Sequence, residues 1–376
     1  MHAMRDLTGY ISARANAIDA SGIRKVFDLA AKLKDPINLS IGLPDFDVPD
    51  VVKQAAIDSI NTGQNRYTQT QGIAPLRDRL HRDLSAEMGR DVGDILITSG
   101  VSGGLLLAML AMIDPGDEVI YLDPFFVAYK HILTMTGGKG VAVDSYPDFR
   151  FHADRVEKAI TPRTKMLLLN SPSNPTGIVM TEAEVRSAVE LARRHDLLIV
   201  TDEIYEPFLY ETGTGKLPSP ARDYERTIIL RGFSKSHAMT GWRLGYAAGP
   251  AEIISQMAKL QQYTFVCAPS PLQYAAVAAL DVNMDSAVEK YRRKRDIVFE
   301  GLGKKFEMVK PEGAFYIFPK VPGNRSATDF ATAAIEKNVL VIPGGVFSQR
   351  DTHFRISYAT TDQKLHQGVE ILNSLV

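Results

Sequence analysis

The chain contains one cysteine, Cys267, in 376 residues. An internal disulfide is therefore impossible, and a reducing, cytoplasmic setting is expected. It also has almost no net charge: 43 Lys and Arg against 44 Asp and Glu leave −1. No global basic field exists to hold a nucleic-acid backbone. Long hydrophobic runs are missing as well. Leu105–Ile113 (LLLAMLAMI) is too short to span a bilayer, so no membrane partner is expected. The amino terminus has no apolar h-region and is broken by Arg5, Asp6, Arg14 and Asp19, so no export signal is expected. Met4 offers a second start after Met1. The histidines are scattered with no HExxH-like pair, and no metal site is expected. Walker A and GxGxxG loops are absent too.

What is present is a repeated change of apolar period. Ile95–Thr98, Glu118–Leu122, Lys165–Leu169, Leu197–Thr201 and Thr227–Leu230 read as strands. Helix-like Leu105–Met112 and a segment from Thr181 to about His195 alternate with them, the latter opened by capping-box spacing in Thr181-Glu-Ala-Glu184. This pattern predicts an α/β fold, a large mostly parallel sheet covered by helices on both faces. The carboxyl third differs. A helical stretch over 271–306, interrupted near Asp281–Asp285, precedes FYIF, a helix near Ala327–Lys337, VLVIP and FRISYA. That reads as a smaller α+β domain, which the first ~45 residues are expected to join, having no core of their own. Glu211–Asp223 reads as a surface excursion, and Arg292–Arg295 as a solvated basic helix face.

Several polar segments fall at strand ends, where open α/β sheets bind ligands. Ser99-Gly-Val-Ser-Gly-Gly104 lies between a strand and a helix and offers backbone N–H groups to a phosphate. Ser171-Pro-Ser-Asn-Pro-Thr-Gly177 and Asp202-Glu-Ile-Tyr205 follow two further strands. Arg231–Gly245 holds Lys235, an amine suited to Schiff-base chemistry, with Arg243 eight residues on. Taken singly, each has a plainer reading: solvated cations, an NPTG turn, a capping carboxylate.

Together and in order, GLPDF, RYTQTQGIAPLR, SNPTG, DEIY, SKSHAMTGWRLGY and FRISYA resemble the fold-type-I pyridoxal-phosphate enzymes of the class I/II aminotransferase family. The resemblance runs from Ile41 to Thr360 and implies pyridoxal 5'-phosphate as cofactor. It implies a large cofactor domain over 46–283 and a small domain from 1–45 and 284–376. It also implies a homodimer with shared active sites, acting on amino acids and 2-oxo acids.

By the same resemblance Lys235 is the Schiff-base lysine and the group that moves the substrate Cα proton. Asp202 partners the pyridine nitrogen, while Tyr205 and Asn174 support the phenolic oxygen. Val101, Ser102, Gly103, Ser234 and Arg243 hold the phosphate, and Tyr67 reaches it from the opposite subunit. Phe126 covers the ring face. Arg355, with the Gly42 backbone and Asn174 beside it, takes the substrate carboxylate. Gly232 departs from the family pattern, which often has a hydroxyl there, and the phosphate loop has only Ser102 for a side-chain oxygen. A β-eliminating lyase, for example one cleaving a C–S bond, is the alternative on the same scaffold. For the side-chain pocket, Ile18, Ile23, Phe27 and Leu43 offer an apolar rim, and Arg24 or Lys25 a cation for an acidic substrate.

Overall fold

The computed structural model describes residues 7–19, 22, 33–210 and 215–376. Its strands run in chain order as β1 (Ile37–Asn38), β2 (Asp94–Thr98), β3 (Glu118–Asp123), β4 (Lys139–Asp144), β5 (Thr164–Asn170), β6 (Leu198–Asp202), β7 (Thr227–Gly232), β8 (Gly245–Gly249), β9 (Tyr316–Ile317), β10 (Val339–Leu340), β11 (Ile342–Pro343) and β12 (Phe354–Ser357). Seven form one sheet in the order β2-β8-β7-β6-β5-β3-β4. All its pairings are parallel except those of β8, which is antiparallel to both β2 and β7.

Both faces of this sheet are buried, which explains why its strands read as continuous apolar runs. Met166 and Leu168 of β5 join one cluster with Leu105 and Met109 of the helix Gly100–Met112. Leu167 and Leu169, pointing the other way, pack with Val185 and Ala188 of the helix Glu182–Arg194. Thr181 caps that second helix as its spacing predicts. Its hydroxyl accepts the Glu184 N–H, and the Glu184 carboxylate accepts the Thr181 N–H.

A second, three-stranded antiparallel sheet has the order β11-β12-β9. Phe354 and Ile356 of β12 pack with Val298, Phe330 and Leu365 from three carboxyl-terminal helices. Near the amino end, β1 pairs in parallel with β10, Ile37 opposite Val339. Among the described residues no helix is long and apolar enough to cross a membrane.

Three sequence expectations are corrected. The helix after β2 starts at Gly100 rather than Leu105, so the glycine-rich segment is the first turns of the helix itself. Residues 217–221 of the supposed surface excursion are buried; 211–214 lie outside the described residues. In the basic run, Arg292 and Arg293 bond exposed carboxylates, but Lys294 and Arg295 are buried. Lys294 pairs with Asp45, and Arg295 donates to the Pro311 carbonyl. The helix packs inward through two of its cations because each finds a fixed acceptor.

Candidate active site

Parallel strands β5, β6 and β7 end side by side, with Asn170 opposite Asp202 and Asp202 opposite Leu230. The chain leaving β5 carries Asn174, the chain leaving β6 carries Tyr205, and the short helix Phe233–Ser236 after β7 carries Ser234 and Lys235. These side chains line one cavity of about 490 Å³. Gly42, Val101, Ser102, Phe126, Asp202, Arg243 and Arg355 line it too. Two expected residues stand apart. Gly103 is buried behind the wall, and Tyr67 is 84% exposed on the surface. Leu43 lines the cavity, whereas Ile18 does not; Ile23, Phe27, Arg24 and Lys25 lie outside the described residues.

One set of lining groups suits an anion. The helix Gly100–Met112 presents its first backbone N–H groups beside Ser102, Ser234 and Arg243. Gly100 has φ +68°, and a Cβ there would sit 2.8 Å from Arg243 Nη2. A Cβ on Gly245 would press on the Gly100 and Val101 backbone at 2.8 and 2.9 Å. A Cβ on Gly232 would come within 2.9 Å of Gly245 Cα. The hydroxyl that the family pattern often places at 232 is therefore excluded here by close backbone packing.

Asp202 lines the same cavity. Its Oδ2 accepts the Tyr129 hydroxyl at 2.8 Å and its Oδ1 accepts the Ile204 N–H at 3.2 Å. Burial pushes this carboxyl up to about 6, opposed by those two donors. Lys235 Nζ donates to the Gly42 carbonyl at 2.7 Å. Burial, reinforced by Arg355 and Arg243, brings its amine down to about 8, close to the range where a neutral nucleophile exists.

Arg355 lines the cavity as well. It donates through Nη1 to Asn174 Oδ1 at 2.9 Å and through Nη2 to the Ser40 carbonyl at 2.5 Å. Its guanidinium lies 4.5 Å from the Tyr316 ring centroid and 4.7 Å from that of Phe347. Its buried Nε has no partner among the described residues. No carboxylate pairs with it among the described residues. A buried cation with neutral neighbours and a spare donor fits a planar anion arriving from outside.

Residues 34–372 match the family model described as aminotransferase class I and II. The chain belongs to that family. It is 37% identical to a probable aspartate aminotransferase of Methanocaldococcus jannaschii, over 97% of this chain and 99% of that protein. It is likewise 37% identical to aromatic-amino-acid aminotransferase 2 of Thermococcus litoralis, over 97% and 98%. A solved single mutant of Thermus thermophilus aspartate aminotransferase superposes with a TM-score of 0.93 at 36% identity, covering 97% of this chain and 99% of that one. The protein is a pyridoxal-phosphate-dependent aminotransferase of fold type I, working through Schiff-base chemistry.

The residues fit the cofactor. Helix N–H groups, two hydroxyls and an arginine suit its phosphate, a buried carboxylate suits its ring nitrogen, and the lysine lines the same cavity. Two further aminotransferase residues escape sequence reading. Tyr129 lies in the first turn of the helix Ala128–Thr136, three residues after Phe126, and no motif marks it. Tyr316 bonds Tyr205, hydroxyl to hydroxyl, at 2.7 Å. Its signal was the alternation of FYIF, which puts it on the same sheet face as Arg355.

Proposed function

We propose that this aminotransferase moves an amino group between an L-amino acid and a 2-oxo acid with Lys235 as the Schiff-base lysine. Bound pyridoxal phosphate supplies a carbonyl carbon for Lys235 and a ring that accepts electrons from the substrate Cα. The chain's own groups do the rest. Val101 and Ser102 at the helix start, with Ser234 and Arg243, hold the phosphate, and Tyr67 adds a contact to the opposite subunit's site. Phe126 covers the ring. Asp202 keeps a proton at the ring nitrogen, and Tyr205 and Asn174 bond the phenolic oxygen. Arg355, beside Gly42, grips the substrate carboxylate and so turns one Cα–H bond towards Lys235, which removes that proton and returns it.

The observation that carries this reading is the charge state of the cavity. Arg355 is buried without a carboxylate among the described residues, it lines the same cavity as Lys235, and its charge helps lower the Lys235 amine. A division into a domain of residues 46–283 and one of 1–45 with 284–376 fits the pairing of β1 with β10. The exposure of Tyr67 fits a homodimer, and the lone cysteine fits the cytoplasm. The test is borohydride reduction of the yellow holoenzyme followed by peptide mass analysis. The cofactor adduct is expected on Lys235, and K235A is expected to lose roughly 10²–10⁴-fold in turnover through proton transfer alone. An adduct on another lysine refutes the assignment. Release of pyruvate or ammonia from a single amino acid, with the starting spectrum restored, identifies a lyase instead.

A further inference from the structure

Tyr205 and Tyr316 face each other in a setting with little room for ambiguity. Their hydroxyl oxygens are 2.7 Å apart, both side chains are buried, and burial holds both phenols neutral. Each hydroxyl then has one proton to donate. In the pair, one oxygen donates and the other accepts. If Tyr205 spends its proton on Tyr316, it has none for a ligand in the cavity. It can donate to the cofactor's phenolic oxygen only while Tyr316 donates to it.

We propose that Tyr316 is a positioning residue that directs the Tyr205 proton at the cofactor's phenolic oxygen, and that its ring joins this hydrogen bond to the substrate-carboxylate arginine Arg355. The proposal rests on the role given above to Tyr205. Tyr316 is firmly placed for it. Its ring meets that of Tyr205 edge-on at 5.4 Å, and one ring face lies against the Arg355 guanidinium at 4.5 Å. Strand pairing sets Tyr316 opposite Ser357, diagonal to Arg355 on the same sheet face. The Tyr316 hydroxyl stands over Gly42, where a Cβ would come within 2.0 Å of it. Gly42 is thus the residue that leaves space for this hydroxyl while its carbonyl accepts from Lys235. Chained hydroxyls polarise one another, so a donor behind Tyr205 strengthens the bond in front of it.

The readout is the pH at which the visible band of the holoenzyme changes, a property of the bound cofactor rather than of turnover. A donor at the phenolic oxygen draws negative charge away from the protonated Lys235 nitrogen beside it. Losing that donor makes the nitrogen hold its proton to higher pH. Y205F is therefore expected to raise the midpoint most. Y316F keeps the ring and is expected to raise it by about half to one pH unit. The double variant Y205F/Y316F is expected to match Y205F, because Tyr316 acts through Tyr205. A Y316F midpoint at the wild-type value while Y205F moves overturns the proposal and leaves Tyr205 in its role. Additive shifts in the double variant also overturn it. An unmoved Y205F removes the role of Tyr205 and the proposal together. For the ring, Tyr316→Leu is expected to raise KM for amino donors about tenfold, with Y316F within about twofold of wild type. Equal KM values for the two variants overturn the link to Arg355.

Discussion

Of the buried arginines in this aminotransferase, Arg231 and Arg355 are treated oppositely by the fold. Arg231, 5% exposed, donates through Nε to Glu203 at 2.8 Å and through both terminal nitrogens to the two oxygens of Glu87, each at 2.8 Å. Glu206 stands 4.0 Å away. Glu203 also accepts from the Thr201 and Ser219 hydroxyls, so its charge is fully met. Arg355, 1% exposed, has a backbone carbonyl, an amide oxygen and two ring faces around it. One charge is neutralised when the chain folds. The other has no carboxylate partner among the described residues, and that difference separates the Arg231 ion network from the proposed substrate site more clearly than burial does.

Exchanging each arginine for methionine breaks the comparison at its strongest point. R231M removes the cation bonded to Glu87 and Glu203 and beside Glu206, leaving only the charges of Arg222 and Lys216 to act on Glu87. It is expected to lose about 3–5 kcal/mol of stability, read as a lower denaturant midpoint. R355M strands no carboxylate among the described residues and is expected to stay within about 1 kcal/mol of wild type. Equal losses for the two would mean that Arg355 is structural as well. Next in size is R355K, which keeps the charge but not the planar fork. It is expected to retain the yellow cofactor and to lose about 10²-fold in kcat/KM for every amino donor, if positioning supplies about 3 kcal/mol. R243K is expected instead to weaken cofactor retention, measured by titration. Normal processing by R355K with substrate binding impaired in R243K would exchange the two roles.

The same comparison shows what sequence carries and what it hides. Strand ends were legible because buried parallel strands leave long apolar runs, and their polar successors stand out: Asn174 after β5, Asp202 at the end of β6, Lys235 after β7. The neutral surroundings of Arg355 were not legible, since Ser40, Phe347 and Tyr316 come from three separate segments. Nor was the Arg231 network, whose carboxylates lie on the helix Ala74–Met88 and after β6. β8 is glycine- and alanine-rich and escaped the search for branched apolar runs, yet it fills the sheet between β2 and β7. Burial inside an ion network also hid half of the basic run at 292–295, because charge pattern along a helix does not reveal a distant acceptor such as Asp45 or Pro311.

Asp202 supplies the finest version of the comparison, because its charge is prepared by fixed donors where that of Arg355 is not. Tyr129 holds Oδ2 and the Ile204 N–H holds Oδ1, yet burial still brings the group up to about 6. In the apoprotein the folded state therefore binds this proton at higher pH than the unfolded chain does. Between about 4 and 6 the folded form carries the extra proton, so the contribution of this group to stability falls as pH rises through that window. Y129F removes a donor to the ionised form while keeping a ring that meets Phe126 edge-on at 5.6 Å. The Asp202 midpoint is then expected to rise by about one further unit, which extends the falling window upward. Carboxyl infrared titration of apo wild type, Y129F and D202N isolates the signal. With cofactor bound, the variant is expected to hold the ring-nitrogen proton less firmly and to slow Cα proton removal about tenfold, since a neutral ring is a weaker electron sink. An Asp202 midpoint unchanged by Y129F would show that the Ile204 N–H alone prepares the carboxylate and that Tyr129 serves only packing.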